Sequence, residues 1–226
     1  MANRTALIAG ATGLVGRELL QALLQKNQYD KIILLQRREA EVDDPRVQSV
    51  VVEDFANMQT VKEQLFVQDY YCTLGTTIKQ AGSKDAFKKV DLEYPLLLAQ
   101  VAQQSPDFRQ FLVVTSAGAN ANSPLFYNNV KGQVEQQLRA MELPSLQIFR
   151  PSLLLGERKE FRLGEEVAKF GSRVLSFFMV GMRRNLWSID AKDVAKAMAV
   201  VASQERSGTH IFGSSEMYKI VNKQGL

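Results

Sequence analysis

Residues 5–25 read TALIAGATGLVGRELLQALLQ. The apolar first five residues predict a buried strand, and the apolar residues from position 14 onward recur at the spacing of one helix face. Gly10, Gly13 and Gly16 lie at the turn between these two elements. In a dinucleotide-binding turn such glycines allow the tight bend, the approach of a pyrophosphate and the close packing of the helix. The stretch therefore predicts a dinucleotide-binding domain.

The alternation of strand and helix continues along the chain. Further apolar runs predict strands over Lys31–Leu35, Val47–Val52, Asp69–Leu74, Phe111–Thr115 and Leu146–Phe149. Apolar stripes with helical spacing cover residues 87–101, where Pro95 should kink or restart the helix, and residues 127–141. Continuous apolar strands that alternate with amphipathic helices are typical of a parallel sheet covered on both faces. We therefore predict an α/β fold, a doubly wound parallel sheet.

The C-terminal third has a weaker alternation. Its predicted elements are helices near 164–181 and 190–203 and a short strand near Thr209–Phe212. We interpret the whole chain, 1–226, as a single domain in which residues 152–226 form most of a small substrate lid. The apolar stretch 174–182 could lie in a membrane interface. We favour the apolar face of the lid, with Phe177, Phe178 and Trp187 as pocket walls.

Composition excludes several classes of protein. The 226 residues include 28 basic and 24 acidic side chains, one cysteine and one histidine. A single Cys72 rules out a disulfide framework within the chain, and with a single His210 it argues against a metal site. The basic residues are spread along the chain, whereas nucleic-acid binders concentrate them in one patch. We therefore expect neither a metal nor a nucleic-acid partner.

The sequence shows no signal peptide at its beginning and no uncharged apolar run near the ~20 residues that span a bilayer. With one cysteine, this pattern is typical of a protein from a reducing compartment. We accordingly expect a cytoplasmic protein without a membrane span.

Arg37 and Arg38 follow the second predicted strand. NAD-specific folds place a carboxylate there, about 20 residues after the glycines, to bind the ribose 2′-hydroxyl. A guanidinium group can instead bind a 2′-phosphate, which a carboxylate would repel. This favours NADP(H) over NAD, and a solvent-facing basic pair at a strand end is the alternative.

Three further residues form a candidate catalytic set. Ser116 comes at the end of the fifth predicted strand, and Tyr127 and Lys131 are four residues apart, so they are neighbours on one helix face. Carbonyl reduction needs a proton donor and a group that polarises the oxygen. A neighbouring ammonium can lower the pKa of a tyrosine toward the range where it exchanges protons. The spacing of tyrosine and lysine alone is common on helix surfaces, and the combination with the serine and the glycines makes the hypothesis specific.

Several stretches together resemble a known family. They are GATGLVGRELL, LLQRR, CTLGTT at 72–77, KKVDLEYPLLLA, VVTSAGAN, FYNNVKGQVE and IFRPSLLLGER. The chain resembles the short-chain dehydrogenase/reductases of the atypical or extended kind, and within them the Tat-interacting-protein oxidoreductase-like branch. The resemblance covers residues 5 to about 158 and implies a Rossmann fold that binds NADP(H). The part after residue 158 is much shorter than in the sugar-nucleotide epimerases, which argues against a large nucleotide-sugar substrate.

The resemblance also assigns site residues. It implies a phosphate loop of Gly10, Thr12, Gly13, Leu14, Val15 and Gly16; Arg37 at the 2′-phosphate; Asp54 and Phe55 beside the adenine; Leu74, Gly75 and Thr76 along the nicotinamide ribose; and Pro151, Ser152 and Leu153 over the nicotinamide. It places Ser116, Tyr127 and Lys131 at the catalytic positions, and Lys131 would also bind the ribose hydroxyls of the cofactor.

Two functions remain open at this stage. One is an NADPH-dependent oxidoreductase that reduces a small carbonyl compound by serine, tyrosine and lysine chemistry. The other is a regulatory protein that senses NADP(H) and acts through a protein partner without turnover. The complete catalytic set favours the enzyme, because a sensor has no need of a proton donor. A homodimer is left open.

Overall fold

The computed structural model describes residues 4–39, 42–155 and 188–223. The strands are β1 (Thr5–Ala9), β2 (Lys31–Gln36), β3 (Val47–Val51), β4 (Asp69–Cys72), β5 (Gln110–Val114), β6 (Ser145–Arg150), β7 (Leu153–Leu155), β8 (Ser188–Asp190) and β9 (Gly208–Gly213). The α-helices are α1 (Leu14–Gln25), α2 (Ile78–Ala81), α3 (Lys84–Lys88), α4 (Tyr94–Gln104), α5 (Phe126–Ala140), α6 (Ala191–Ser203) and α7 (Ser214–Lys223). A 3-10 helix spans Phe55–Leu65, and a π-helical segment spans Lys89–Glu93.

Seven strands form one parallel sheet in the order β3-β2-β1-β4-β5-β6-β9, and β7 pairs with β8 in a second, two-stranded sheet. The chain adds strands on one side of β1 and then crosses to the other side at β4. This is the doubly wound arrangement, and the predicted α/β fold is confirmed. All seven strands end at the same edge, so a crevice opens there between β1 and β4, where ligands bind in folds of this kind.

Burial on both faces explains why the strands are apolar throughout. Along β1, Leu7 and Ala9 belong to a core cluster on one face, while Ala6 and Ile8 belong to a second cluster on the other. The first cluster includes residues of α4 and α5, and the second includes residues of α1 and α6. Successive side chains of a strand point to opposite faces, so a sheet covered on both sides needs apolar residues at every position.

Two elements in the described part of residues 152–226 belong to the core layers. β9 pairs with β6 as the seventh strand of the main sheet, and α6 packs against α1 with nine buried residues. The helix near 190–203 and the strand near 209–212 therefore exist, but they extend the sheet and its cover where the sequence indicated a lid. The helix near 164–181, the apolar stretch 174–182 and the three aromatic pocket walls lie outside the described residues.

Pro95 restarts the helix as the sequence predicted. The helical segment ahead of it widens into a π turn over Lys89–Glu93, and α4 then begins at Tyr94 with the proline in its first turn. A proline inside a helix collides with the carbonyl four residues earlier, here that of Asp91. In the first turn of a helix, the missing N–H of proline costs no helical hydrogen bond. The wider turn accommodates the ring.

No helix within residues 4–39, 42–155 and 188–223 has the length and apolar character to cross a bilayer.

A buried ionic cluster joins the amino ends of the central strands. The Asp69 carboxylate is fully buried, lies 2.9 Å from the Arg4 guanidinium and accepts a hydrogen bond of 2.6 Å from the Tyr29 hydroxyl. The Tyr29 and Tyr71 hydroxyls are 2.7 Å apart, and Arg4 also donates to the carbonyl of Ala202 at 2.8 Å. The cluster thereby ties β1, β4 and the end of α6 together.

Arg4→Ala should lower the free energy of unfolding by about 3–5 kcal/mol, because it leaves the buried Asp69 carboxylate without its counter-ion. Urea denaturation measures the change. The matched control is Arg109→Ala, which removes an arginine from a more exposed pair with Glu205 and should cost about 0–1 kcal/mol. Equal losses in the two variants would contradict the assignment of a stabilising role to the buried cluster.

Candidate functional site

A cleft of about 1090 Å³ opens at the carboxyl ends of β1, β2 and β4. Its walls come from four parts of the chain: residues 10–13, 35–39, 73–76 and the helical stretch 80–94, with Glu53 and Phe55 at one side. The fold creates this cleft, because the loops after β1 and β4 leave the sheet in opposite directions. Residues that are far apart in sequence thus surround one space.

The glycine turn forms the floor of the cleft. Gly10 has a φ of +91°, and a Cβ on it would lie 2.8 Å from the backbone of Thr73. A Cβ on Gly16 would lie 2.1 Å from the Gly10 carbonyl oxygen, so α1 approaches the turn too closely for any side chain there. Helix α1 begins at Leu14 without a side-chain cap, which leaves the N–H groups of its first turn for an anion. The turn fits a pyrophosphate.

The predicted phosphate-loop residues divide into two groups. Gly10, Thr12 and Gly13 line the cleft. The other three residues (Leu14, Val15 and Gly16) form the first turn of α1, and the Val15 side chain belongs to the core. Val15 and Gly16 can therefore face a ligand only through their backbone N–H groups.

The end of β2 gives the cleft two positive charges. Arg37 and Arg38 both line it, both are exposed, and neither guanidinium pairs with a carboxylate in the described part of the chain. Glu39 and Glu53 line the same region. The cleft therefore presents two unpaired guanidinium groups at the position where a dinucleotide carries its adenosine ribose, with carboxylates close by.

Asp54 and Phe55, the predicted neighbours of the adenine, have different surroundings. Phe55 lines the cleft and packs edge-on against Tyr94, with ring centroids 5.5 Å apart. Asp54 lies 2.8 Å from the Lys89 ammonium, and it accepts hydrogen bonds from the Tyr94 hydroxyl at 2.7 Å and the Ala56 N–H at 3.0 Å. The Lys89 ammonium and these donors hold the pKa of Asp54 well below its usual range. Both carboxylate oxygens of Asp54 are therefore already bound by groups of the protein itself.

The loop after β4 brings Leu74, Gly75 and Thr76 to the cleft, beside the glycine turn. The predicted nicotinamide cover lies farther along the sheet, after β6. There the Ser152 N–H and hydroxyl both lie 2.8 Å from the Ser214 hydroxyl, and Leu153 is half exposed. The Pro151 carbonyl accepts a hydrogen bond from Ala117 N–H, which links this loop to the loop that carries Ser116.

Ser116 follows the end of β5, and the other two candidate catalytic residues lie on α5. Ser116 is buried, and its hydroxyl has no hydrogen-bond partner in the described part of the chain. Tyr127 lies in the first turn of α5 and is 40% exposed, while Lys131 lies one turn further on and is only 4% exposed. A Cβ on Gly75, in the cleft wall, would lie 3.9 Å from the Lys131 ammonium. The Lys131 ammonium therefore lies next to the cleft.

Helix α5 is held in place by a contact that the sequence did not indicate. A Cβ on Gly132 would lie 2.0 Å from the backbone nitrogen of Ala121, so α5 touches the loop that follows Ser116. Three residues further along, the buried Glu135 carboxylate accepts hydrogen bonds from the Thr115 hydroxyl at 2.6 Å and from Arg150 at 2.9 Å. These contacts connect α5 to β5 and β6 and so fix the position of Tyr127 and Lys131.

Sequence reasoning also missed Asp91, whose carboxylate is 1% exposed and lies 2.7 Å from the Lys131 ammonium. It accepts a second hydrogen bond from the Thr76 N–H at 3.0 Å. Burial alone would lower the pKa of Lys131, but Asp91 and Tyr127 outweigh it and raise that pKa above its usual value. One signal was present in the sequence, because Asp91 lies four residues after Phe87 on an otherwise apolar helical stripe.

Among the described residues, the remaining titratable groups suggest no other chemistry. Cys72 lies in β4, and burial raises the pKa of its thiol to about 12, which makes it unreactive at neutral pH. Within the described ranges, no group of three or more histidine, cysteine, aspartate or glutamate residues is arranged to hold a metal ion.

Relatives with similar sequences were found over most of the chain. The chain is 34% identical to "Protein HTATIP2" of Rattus norvegicus over 177 residues, which is 76% of this chain and 72% of that protein. It is 32% identical to "Protein FMP52, mitochondrial" of Debaryomyces hansenii over 204 residues, which is 88% of each chain.

Solved structures show the same fold. A short chain dehydrogenase family protein from Francisella tularensis matches with a TM-score of 0.68 at 11% identity, over 96% of this chain and all of that one. The enzyme WbmF of Bordetella bronchiseptica, solved in complex with NAD+, matches with a TM-score of 0.68 at 14% identity, over 99% of this chain and 79% of the other.

The expected cytoplasmic location is wrong. Relatives from Debaryomyces hansenii, Eremothecium gossypii and Candida albicans are named as mitochondrial proteins. The expectation rested on a missing signal peptide and on the lack of a long apolar run, and neither feature distinguishes the cytoplasm from other compartments.

The chain also matches the model of a protein family over most of its length. The family is described as NAD dependent epimerase/dehydratase, and the match runs over residues 6–220. It agrees with the resemblance to extended short-chain dehydrogenase/reductases and supports an oxidoreductase-type enzyme that uses NAD or NADP. Because the match covers nearly the whole chain and the glycine turn fits a pyrophosphate, this protein belongs to the NAD dependent epimerase/dehydratase family.

Proposed function

We propose that this protein is an NADPH-dependent reductase of a small carbonyl compound, with Ser116, Tyr127 and Lys131 as its catalytic residues. One observation carries the proposal: Lys131 is buried one helical turn from Tyr127 and also reaches the wall of the dinucleotide cleft at Gly75. A single ammonium can therefore act on both the proton donor and the cofactor ribose. A protein that only sensed the dinucleotide would gain nothing from this arrangement.

The proposed roles follow from the chemistry of each group. When bound, the reduced nicotinamide supplies a hydride to the carbonyl carbon. The Tyr127 phenol donates its proton to the carbonyl oxygen, and the Ser116 hydroxyl donates a hydrogen bond to the same oxygen. The buried Ser116 hydroxyl has no partner among the described residues, which supports a role toward a ligand. Lys131 binds the ribose hydroxyls and stabilises the negative charge that Tyr127 acquires.

The preference for NADP(H) rests on Arg37 and Arg38. Both guanidinium groups line the cleft without a carboxylate partner in the described ranges. The bidentate geometry of an arginine matches a 2′-phosphate. Glu39 and Glu53 lie in the same wall, so the arginines must also offset two carboxylates there.

A small apolar substrate fits the surroundings of the catalytic set. Leu125, two residues before Tyr127, is 64% exposed, and Leu153 after β6 is 51% exposed. Such exposed apolar side chains beside a catalytic residue favour a ligand with apolar surface. The test is a thermal-shift experiment with NADPH and NADH, followed by a panel of small ketones and aldehydes monitored by NADPH absorbance. Stabilisation by the cofactor without turnover of any panel member would favour the regulatory alternative.

Gly13→Val should abolish NADPH binding and leave the fold intact. Gly13 lies in the cleft, and a Cβ there would meet only the Gly10 carbonyl oxygen, at 3.1 Å, so the side chain would fill the space that the pyrophosphate needs. Gly16→Val is the contrasting variant, because its Cβ would overlap the backbone and lower the free energy of unfolding by at least about 1–3 kcal/mol. Circular dichroism melts and calorimetric titration measure both effects. Micromolar NADPH binding by Gly13→Val would contradict the phosphate loop.

Arg37→Ala should weaken NADPH binding by a free energy of about 1.5–3 kcal/mol and leave NADH binding nearly unchanged, because only NADPH carries the 2′-phosphate. Dissociation constants for both cofactors are measured by fluorescence titration. Arg206→Ala, an exposed arginine outside the cleft, is the control and should change neither constant. An equal loss for both cofactors in Arg37→Ala would give this arginine a different role.

Tyr127→Phe should reduce turnover by about 10²–10⁴-fold with little change in NADPH affinity, because it removes the proton donor and keeps the ring that packs against Phe87. Rate and affinity are measured side by side on the same preparation. Phe126→Leu, at the neighbouring position of α5, controls for disturbance of the helix. Unchanged turnover in Tyr127→Phe would remove the proposed proton transfer.

A further inference from the structure

The Lys131 ammonium has a buried counter-ion at the wall of the cleft. The Asp91 carboxylate lies 2.7 Å from that ammonium, and no other carboxylate forms an ion pair with Lys131 in the described part of the chain. A buried ion pair stabilises a fold little more than apolar side chains of the same size, because desolvation offsets the attraction between the charges. Stability alone therefore gives little reason for this pair.

The same carboxylate also holds the loop after β4. Its second oxygen accepts a hydrogen bond from the Thr76 N–H at 3.0 Å. A Cβ on Gly75 would lie 3.6 Å from the first oxygen of Asp91 and 3.9 Å from the Lys131 ammonium, so the ion pair packs against the Gly75 backbone. Gly75 and Thr76 both line the cleft. Asp91 thus connects the cleft wall to helix α5.

The two members of the pair differ in what they can offer a ligand. The Lys131 side chain keeps 6% of its surface exposed, whereas the Asp91 side chain keeps 1%. An ammonium has three N–H donors, and the Lys131 ammonium donates no hydrogen bond to any described residue other than Asp91. Two donors are therefore left for a ligand, and the hydroxyls of a ribose are suitable acceptors.

The local backbone of Asp91 is irregular. Asp91 lies in the π-helical segment ahead of Pro95, with its side chain buried, while Glu93 in the same segment is exposed. π turns inside helices are frequent at functional sites. The segment therefore carries one buried carboxylate at the cleft wall and one solvent-exposed carboxylate that can serve as a control.

We propose that Asp91 is a positioning residue that holds the Lys131 ammonium and the Gly75–Thr76 backbone in one arrangement for the nicotinamide ribose, and so sets the affinity for the nicotinamide half of the cofactor. This rests on the proposed function, in which Lys131 binds the ribose hydroxyls. Without Asp91, a buried ammonium tends to lose its proton, and its N–H groups lose their fixed direction. Its hydrogen bonds to the ribose would then be weaker.

The adenosine half of the cofactor provides an internal reference. Its proposed neighbours, Arg37 and Phe55, line the other end of the cleft, and Asp91 has no hydrogen bond or ion pair with either. A change at Asp91 should therefore affect only ligands that contain the nicotinamide ribose.

Asp91→Asn tests the proposal, because the amide oxygen can still accept the Thr76 hydrogen bond while the negative charge is lost. Calorimetric titration measures the dissociation constants of two probes, NADPH and adenosine 2′,5′-bisphosphate. The second probe keeps the adenine, its ribose and the 2′-phosphate and lacks the nicotinamide ribose. We expect NADPH binding to weaken about tenfold or more, and bisphosphate binding to change less than about twofold.

Two controls accompany this comparison. Glu93→Gln removes the exposed carboxylate of the same segment and should change neither constant. The pair NADH and AMP repeats the comparison without a 2′-phosphate, so the result does not depend on the role of Arg37.

A purely structural role for Asp91 predicts a different result. In that case Asp91→Asn lowers the melting temperature and weakens both probes by the same factor. This outcome would overturn the proposal, and so would unchanged or tighter NADPH binding.

Lys131→Met and the double variant Asp91→Asn/Lys131→Met complete a double-mutant cycle, and neither leaves a buried ammonium unpaired. If Asp91 acts through Lys131, the ratio of the two dissociation constants should differ by less than about twofold between these variants. This comparison remains possible where Asp91→Asn alone does not fold. A further loss of NADPH affinity in the double variant, without a loss for the bisphosphate, would contradict an action through Lys131.

The binding measurements need no substrate, so the two hypotheses fail separately. Absence of turnover on the carbonyl panel, together with a selective loss of NADPH affinity in Asp91→Asn, would refute the reductase and keep the role of Asp91. Turnover together with equal effects on both probes would keep the reductase and refute the role of Asp91.

Discussion

The first turn of α1 packs against the end of β1 with no room for a side chain between them. A Cβ on Gly16 would lie 2.1 Å from the carbonyl oxygen of Gly10, and Gly10 itself has a left-handed φ and touches the backbone of Thr73. This contact directs the uncapped amino end of α1 toward the edge where β1 and β4 diverge. The cleft, the uncapped N–H groups of α1 and the position of the loop after β4 all depend on it.

The second constraint is the placement of α5 relative to that cleft. Gly132 allows the helix to touch the loop after Ser116, and the buried Glu135 accepts hydrogen bonds from Thr115 on one strand end and Arg150 on the next. A buried carboxylate is costly unless its partners are all present, so this network specifies one position of the helix. Tyr127 and Lys131 take their positions on α5 as a consequence, and the Lys131 ammonium lies close to Gly75 in the cleft wall.

The buried Lys131 ammonium has a counter-ion in the Asp91 carboxylate. Lys131 is buried, and a buried ammonium without a counter-ion would tend to lose its proton. Asp91 keeps it charged, and the pKa of Lys131 is raised despite its burial. The protein thus retains a buried cation beside the wall of the cleft.

Local sequence patterns determined the layers of the fold and the glycine turn between β1 and α1. The apolar runs, the helical stripes and the three glycines predicted a doubly wound parallel sheet. All seven of its strands were predicted within a few residues of their bounds, although the last one was assigned to a lid. The proximity of Tyr127 and Lys131 to each other also followed from the sequence, because residues four apart on a helix are neighbours. These features are local, and the period of a strand or helix suffices to specify them.

Only the tertiary structure decided which distant groups meet. Asp91 and Lys131 are separated by a strand, a helix and two loops, and the sequence showed only that an acidic residue lay on an apolar stripe. The sequence likewise did not show that Asp54 pairs with Lys89 and accepts a hydrogen bond from Tyr94. Nor did it show that β9 joins the main sheet. Pairing between such residues depends on how packed layers bring their segments together, and the periodicity of any one segment carries no information about its partner.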